Sequence, residues 1–159
     1  MIQLREIDSN NIWKVIKLSV NEEQTNFVAT NTESILEAYT AITSGNVALP
    51  FGIYNDNCLV GFAMIGYGTV DGEEDPSVAG NNYCIWRFMI DKNFQGQGLG
   101  KEALHKVLEY LRSEPCGKGE YCWLSYEPEN IVAKTLYSSV GFCENGEMCG
   151  KEIVSVLKL

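Results

Sequence analysis

Histidine is almost absent from this chain of 159 residues, which has one, His105. The sequence also has no Cys-x-x-Cys pair and no cluster of cysteine with histidine, so the ligand spacing of a structural zinc site is missing. Because residues 1–6 lack the order of a secretion signal, we expect a cytoplasmic protein whose thiols are reduced and pack as small apolar side chains. The six cysteines are at positions 58, 84, 116, 122, 143 and 149. We therefore expect no bound metal.

Basic side chains are also scarce, with 12 lysines and arginines against 21 aspartates and glutamates and a net charge of −9. This balance argues against nucleic acid as the main partner. It would attract a cationic substrate, although solubility alone also favours such a charge. The sequence has no apolar run near the ~18 residues of a membrane-spanning helix, so we expect no membrane partner. With 45% hydrophobic residues, we expect one domain over residues 1–159.

The hydrophobic period switches repeatedly between that of a strand and that of a helix, which predicts a mixed α/β fold. Strands are predicted over residues 2–7, 47–54, 59–67, 83–90, 121–126, 142–147 and 152–158. Helices are predicted over residues 12–18, 33–42, 99–111 and 130–140. The resulting order is β-αα-βββ-α-β-α-ββ, a mixed sheet covered by helices. The unit from 83 to 126 is expected to be a right-handed parallel crossover.

Each predicted helix carries an apolar stripe that we expect to face the sheet. The first helix, which Asp8 or Ser9 would cap, has the inward residues Ile12, Trp13, Val15 and Ile16. The second helix has the inward residues Ile35, Leu36, Tyr39 and Ile42. The third helix has the inward residues Leu99, Ala103, Leu104, Val107, Leu108 and Leu111. The fourth has Ala133, Leu136 and Val140. His105 lies off its helix's stripe, and we expect it to be solvated.

A glycine-rich turn separates the fourth strand from the third helix and reads Gln95-Gly96-Gln97-Gly98-Leu99-Gly100. Free N–H groups at a helix start meet the positive end of the helix dipole, so this turn predicts a phosphate or other anion site. The dinucleotide pattern G-x-G-x-x-G needs one more residue between its last two glycines. A P-loop needs glycine at position 95 and serine or threonine at 102, where the chain has Gln95 and Glu102. Both common nucleotide motifs are therefore excluded.

The turn does fit the pattern Gln95-x-x-Gly98-x-Gly100, and a second block reads Asn130-x-x-Ala133-x-x-Leu136-Tyr137-x-x-x-Gly141-Phe142. Together with the predicted topology, the two blocks resemble the GNAT acyltransferase superfamily over essentially the whole chain. Two further stretches are similar to bacterial spermine/spermidine acetyltransferases within it: residues 21–24 with Phe27 and Val28, and residues 86–91.

This resemblance implies helices on both faces of a sheet that is splayed between its fourth and fifth strands. It also implies acetyl-CoA as co-substrate and direct transfer of the acetyl group to a primary amine, with spermidine or spermine first. The lack of a cysteine in a recognisable nucleophile context agrees with direct attack. Alternatives are another small amine, an amino acid, a protein N-terminus, or a sensor that binds acyl-CoA without turnover. A homodimer is the one protein partner that the resemblance suggests.

The resemblance also assigns cofactor contacts. The backbone of Phe88, Met89 and Ile90 would bond the pantetheine arm, while the side chains themselves pack in the core. The pyrophosphate would lie on Gln95, Gly96, Gln97, Gly98, Leu99, Gly100 and Lys101. Asn130 would cap the fourth helix and bond the cofactor, although capping alone also explains it. Tyr137 would be the general acid that protonates the leaving thiolate, unless it is only a half-buried helix tyrosine.

The acceptor side is less defined. Glu22, Glu23, Gln24 and Trp86 are the candidate substrate-binding residues. Several family members carry an acid on the central strand, where this chain has Trp86 and Arg87, so the base is left open between Glu22, Glu23 and a water relay. The acidic run 71–75 would either contact a polyamine or be a solvated loop.

Overall fold

The computed structural model describes residues 1–70 and 74–159 of the chain. Its elements follow the predicted order, with a 3₁₀ turn over Glu22–Gln24 added between the first two helices. The strands are β1 (Ile2–Glu6), β2 (Val47–Asn55), β3 (Cys58–Tyr67), β4 (Tyr83–Ile90), β5 (Tyr121–Tyr126), β6 (Cys143–Cys149) and β7 (Glu152–Lys158). The helices are α1 (Ile12–Val15), α2 (Asn31–Thr43), α3 (Leu99–Arg112) and α4 (Ile131–Ser139).

Within the described part of the chain, seven strands form one sheet in the order β1-β2-β3-β4-β5-β7-β6. Only β4 and β5 are parallel neighbours among these strands, and the crossover between them contains α3, as expected for a βαβ unit. Their pairing covers Tyr83 with Cys122 and Cys84 with Trp123, at the start of both strands. Beyond these pairs the two strands diverge, which confirms the predicted splay.

A bulge in β4 coincides with the end of this pairing. In the antiparallel ladder between β3 and β4, Met64 pairs with Arg87 and Ile65 pairs with Ile85, so Trp86 is the extra residue. A bulge bends its strand and raises the local twist. Trp86 therefore stands where β4 turns away from β5 and the gap between the strands opens.

The face of the sheet under α3 holds the larger core. All six apolar residues predicted for the inward stripe of this helix are buried, at 8% exposure or less. Ala133, Leu136 and Val140 of α4 pack against the same cluster while remaining half-buried. Both stripes are therefore confirmed. His105 on α3 is exposed, as expected.

The prediction for the inward face of α2 is confirmed at Ile35, which is half-buried against the core, and wrong at the other three residues. Leu36, Tyr39 and Ile42 are 61%, 67% and 54% exposed. The residues of α2 that are fully buried are instead Asn31, Ser34 and Ala38. Small side chains let the helix axis approach the sheet closely, and Asn31 Nδ2 donates a hydrogen bond to the backbone oxygen of Val15 at 2.9 Å, which satisfies its buried amide. Hydrophobicity alone pointed to the wrong stripe.

The first helix is also shorter than predicted. It ends at Val15, so Trp13 lies on the solvent side and is 69% exposed, contrary to the expected inward position. The residue before the helix is Asn11, while Asp8 Oδ1 accepts hydrogen bonds from the backbone N–H groups of Asn10 and Asn11. One turn of helix has too few inward positions to bury a side chain as large as tryptophan.

All six cysteines lie within the described residues, and none of them is in a disulfide. Cys84 and Cys122 are buried and Cys116 and Cys149 are half-buried, in agreement with the predicted packing role, whereas Cys58 and Cys143 are exposed, contrary to it. No helix in residues 1–70 or 74–159 is long and apolar enough to cross a membrane. The acidic run predicted at 71–75 falls partly outside the described residues, since 71–73 are not among them.

Candidate active site

A cavity of about 920 Å³ occupies the gap between β4 and β5. At its open end lie the glycine turn and Lys101, where the carboxyl end of β4 leads into α3. At its closed end lie Cys84 and Trp123, where the two strands still pair. Cys84 and Ile90 are six residues apart along β4, which corresponds to about 20 Å of extended strand. The cavity therefore suits an elongated ligand that enters between the strands.

The glycine turn presents open backbone to this cavity. Gly96 has φ +74° and Gly98 has φ +80°, a conformation that side-chain-bearing residues rarely adopt. At both positions no atom of the described residues lies within 4 Å of where a Cβ would stand. Gly98 is the N-cap of α3, so the first N–H groups of the helix lack partners within the helix itself. An anion can therefore approach this backbone directly.

The side chain of Gln95 has a bracing role. Its Nε2 donates to Gln24 Oε1 at 2.9 Å and to the backbone oxygen of Ile90 at 3.0 Å. Its Oε1 accepts a hydrogen bond from Asn21 Nδ2 at 2.9 Å. These bonds tie the glycine turn to the 3₁₀ turn over Glu22–Gln24. Because these bonds engage both ends of the side-chain amide, Gln95 would contact a cofactor through its backbone.

Sequence reasoning missed the buried carboxylate that shapes the start of this turn. Asp91 is 5% exposed, and its Oδ1 accepts a hydrogen bond from the backbone N–H of Asn93 at 3.0 Å. Its Oδ2 accepts one from the backbone N–H of Ser19 at 2.9 Å. Aspartate bonding an N–H two residues on is a recognisable turn signal, and it was available in the sequence.

The remaining predicted phosphate contacts differ in where their side chains lie. Lys101 lines the cavity, and Gly100 lines it beside Leu136 of α4. Gln97 is exposed and Leu99 is buried in the core, so neither side chain lines the cavity. Both could take part through their backbone only.

Tyr137 of α4 lines the cavity. It is half-buried, and its ring lies 5.9 Å from the ring of Tyr126 and 6.0 Å from that of Phe142, measured between centroids. Burial, and then the negative charge of Glu152, raise the pKa of the Tyr137 phenol well above its ordinary value. The hydroxyl therefore stays protonated at physiological pH.

Asn130, which also lines the cavity, is placed by α4 itself. Its side-chain oxygen accepts a hydrogen bond from the backbone N–H of Ala133 at 3.2 Å, so it caps the helix. Phe88, Met89 and Ile90 line the cavity from the diverging part of β4. The side chains of Met89 and Ile90 are buried in the core, which confirms their packing role.

Of the four residues predicted to bind the acceptor, two lie in the cavity wall and two lie outside it. Gln24 and Trp86 line the cavity. Glu22 and Glu23 are exposed in the 3₁₀ turn and are not part of the cavity wall. Arg87, also in the wall, donates from Nη2 to Glu37 Oε2 of α2 at 2.7 Å. Arg87 stands at one of the two β4 positions where several family members carry an acid. Here the nearby carboxylate comes from α2 instead.

A further carboxylate in the cavity wall went unnoticed in the sequence. Glu152, the first residue of β7, accepts a hydrogen bond on Oε2 from Ser125 Oγ of β5 at 2.6 Å. No motif marks Glu152. Its place follows from the antiparallel pairing of β5 with β7, in which Tyr126 is opposite Ile153.

Residues 13–142 match the Acetyltransferase (GNAT) family, which covers most of the chain. The chain belongs to this family. The GNAT resemblance predicted from the two motif blocks is therefore confirmed, and so is the enzyme class, N-acetyltransferase. Among the residues that the structure describes, no group of three or more histidine, cysteine, aspartate or glutamate side chains is arranged to hold a metal ion.

Two relatives of this GNAT chain come from Bacillus subtilis. One is named "Probable spermine N(1)-acetyltransferase", from subspecies natto strain BEST195, and the other "Spermine/spermidine N(1)-acetyltransferase", from strain 168. Each is 30% identical over 149 residues, which is 92% of this chain and 91% of the relative.

Solved structures show the same fold. The aminoglycoside acetyltransferase AAC(6')-Ib in complex with coenzyme A has a TM-score of 0.79 at 16% identity, covering 99% of this chain and 95% of that one. The PaiA N-acetyltransferase from Thermoplasma acidophilum in complex with coenzyme A has a TM-score of 0.68 at 16% identity, covering 100% and 99%. The GNAT fold predicted for this chain is therefore confirmed.

Proposed function

We propose that this chain transfers the acetyl group of acetyl-CoA directly to a primary amine, and that the amine is a polyamine such as spermidine or spermine. The observation that carries the proposal is the continuous cavity whose wall contains the glycine turn, Tyr137 and the carboxylates of Glu152 and Asp75. The names of the Bacillus subtilis relatives and the net charge of −9 support a polycationic acceptor.

In this proposal the cofactor lies along the diverging strands. The pyrophosphate binds the backbone of residues 95–101, with Lys101 adding a positive charge. The pantetheine arm adds to the free edge of β4 at Phe88, Met89 and Ile90, as an extended ligand adds to a sheet. A backbone N–H of the same edge polarises the thioester carbonyl. Asn130 holds the start of α4, so that Tyr137 faces the sulfur.

Tyr137 then acts as the general acid. When the amine attacks the thioester carbon, the leaving group is a thiolate, which needs a proton. Burial keeps the phenol protonated, so the donor is present at the pH of the reaction.

Direct transfer is favoured over an acetyl-cysteine intermediate. Two cysteines, Cys84 and Cys149, line the cavity. Burial raises the pKa of both thiols above their ordinary value. Since the thiolate is the nucleophilic form, neither group is activated to attack acetyl-CoA.

Release of the coenzyme A thiol tests the proposal. Acetyl-CoA is supplied with spermidine, spermine, an amino acid or a peptide with a free N-terminus, and free thiol is followed. We expect release with the polyamines to exceed release with the amino acid and the peptide. Binding of acetyl-CoA without release in the presence of any amine would contradict the enzyme and favour a sensor. Fastest release with the amino acid or the peptide would contradict the polyamine.

A further inference from the structure

We propose that Glu152 receives the acceptor amine: its carboxylate binds the attacking nitrogen and takes the proton that this nitrogen loses as the C–N bond forms. The inference rests on the proposed function, because it assigns the base of the same reaction. It also moves the acceptor site from the 3₁₀ turn over Glu22–Gln24 to the cavity wall formed by β5 and β7, where Ser125 meets Glu152.

The carboxylate of Glu152 is held in place inside the cavity. Ser125 lies in β5 after the last residue that pairs with β4, and it lines the cavity. That hydroxyl donates to Glu152 Oε2 at 2.6 Å. The other oxygen, Oε1, accepts no hydrogen bond from residues 1–70 or 74–159. One oxygen thus fixes the side chain, and the other remains for a ligand.

The walls around Glu152 are suited to a cationic alkyl amine. Trp86 stands at the bulge of β4, and Trp123 of β5, which is paired with Cys84, belongs to the cluster against which Trp86 packs, so that both tryptophans line the cavity. Asp75 adds a second carboxylate to the same wall. Indole faces attract ammonium groups, and apolar walls strengthen the attraction between an amine and a carboxylate.

Other carboxylates in or near the cavity are less suited to the role. Glu33 accepts hydrogen bonds from the N–H and hydroxyl of Thr30, as the cap of α2. Glu37 is paired with Arg87 at 2.7 Å. Glu127 follows β5 on the loop toward α4, where its backbone oxygen accepts a hydrogen bond from the N–H of Asn130 at 2.9 Å, beside the proposed cofactor contacts.

The proton transfers balance around the bond change. The neutral amine nitrogen forms a bond to the thioester carbonyl carbon, and the nitrogen proton passes to Glu152. The carbon–sulfur bond breaks, and the sulfur takes the phenol proton of Tyr137. The proton held by Glu152 then passes through solvent to the phenolate of Tyr137 and restores its phenol. The net result is an N-acetyl amine and coenzyme A thiol.

The groups near Glu152 on the neighbouring elements are Tyr137 of α4, Cys84 of β4 and Cys149 of β6. Asp75 and Glu74, of the segment before β4, lie near Cys149, and Arg87 lies near Cys84. The raised pKa values of the phenol and of both thiols keep these three groups neutral at physiological pH. Glu152, Asp75 and Glu74 are the acidic groups among those named.

The test is the variant Glu152→Gln, which keeps an acceptor for Ser125 and removes the charge. Glu109→Gln is the matched control, because Glu109 is exposed on α3 and pairs with Lys106 at the surface. We measure kcat and KM for spermidine across pH, and acetyl-CoA affinity by calorimetry. We expect kcat/KM to fall about 10²-fold or more in Glu152→Gln, with wild-type affinity for acetyl-CoA and wild-type activity in Glu109→Gln.

The pH dependence of activity distinguishes a general base from a residue that only packs. Without the base, the remaining activity of Glu152→Gln should rise more steeply with pH than that of the wild type, as hydroxide and water replace the carboxylate. Activity of Glu152→Gln equal to that of Glu109→Gln would overturn the inference, and so would a loss of acetyl-CoA affinity that explains the loss of rate. If the wild type itself releases no thiol with any amine, the proposed function fails instead.

Discussion

At the scale of single residues, a sequence motif made Tyr137 a candidate for the site, whereas no motif pointed to Glu152. Asn130, Tyr137 and Phe142 follow one another within one helix and the start of the next strand, so a local pattern contains them. Glu152 acquires its surroundings by pairing of β7 with β5, where it meets Ser125. A side chain whose partners are distant in the sequence gives no local signal.

Replacing Tyr137 by phenylalanine removes the phenol proton and leaves the ring. We expect kcat to fall by roughly 10²-fold or more, because the leaving thiolate loses its general acid. Affinity for acetyl-CoA should not change, since ring contacts with Tyr126 and Phe142 do not need the hydroxyl. Steady-state kinetics and calorimetry measure the two quantities. An unchanged kcat would remove the catalytic role.

The pH dependence follows from the sign of the phenol shift. The pKa of Tyr137 is raised, so its protonated, donating form persists past the ordinary value near ~10. An alkyl ammonium has a pKa of about 10.4, so the reactive neutral amine increases with pH. We therefore expect wild-type kcat/KM to rise between about pH 7 and about pH 9. A fall over that range in the wild type that disappears in Tyr137→Phe would contradict the raised pKa.

At the scale of elements, α3 was predictable and the face of α2 was not. Large aliphatic residues repeat along one side of α3, so its buried stripe is evident. The fully buried residues of α2 are Asn31, Ser34 and Ala38, while Leu36, Tyr39 and Ile42 face outward. Burial there depends on how closely the helix approaches the sheet, which the sequence pattern does not contain.

Two substitutions on α2 test this orientation. Ala38 is 2% exposed, so Ala38→Leu should overpack the contact with the sheet and reduce the free energy of unfolding by about 1–3 kcal/mol. Leu36 is 61% exposed, so Leu36→Ala should change it by about 0.5 kcal/mol or less. Urea unfolding measures both. If Leu36→Ala lowered the free energy of unfolding more than Ala38→Leu, Leu36 would face the sheet, as the hydrophobic pattern predicted.

The glycine turn makes an element-scale prediction about the cofactor. Gly98→Val places a branched side chain on backbone with φ +80°, facing the open space. Gly146→Val is the matched control, because Gly146 has φ +85°, no neighbour within 4 Å among the described residues, and a place in β6 outside the cavity wall. Both variants should lose stability through strain, and only Gly98→Val should abolish acetyl-CoA binding in calorimetry. Retained affinity in Gly98→Val would place the pyrophosphate elsewhere.

At the scale of the whole molecule, the order of elements was predictable because each segment has its own period and boundary signals. The residue at which the sheet opens was not, because the bulge at Trp86 is defined by pairing with β3. The acceptor end of the cavity likewise combines β4, β5 and β7. Only the folded chain brings these strands together.

The net charge of −9 has a consequence at this scale. Attraction of a polycation by an acidic protein weakens as salt shortens the Debye length to about 8 Å at physiological ionic strength. We expect KM for spermidine to rise with sodium chloride, and to rise less for a monoamine. Initial-rate measurements over a salt series check this. Identical salt dependence for the two amines would contradict electrostatic attraction of the acceptor.

The central claim is direct acetyl transfer from acetyl-CoA to a primary amine, and one single-turnover measurement by mass spectrometry tests it. The protein is mixed with acetyl-CoA and spermidine, quenched, and both the amine and the intact protein are weighed. We predict spermidine carrying one acetyl group and a protein of unchanged mass at every time point. Unmodified spermidine, or a protein that gains an acetyl group before the amine does, would contradict it.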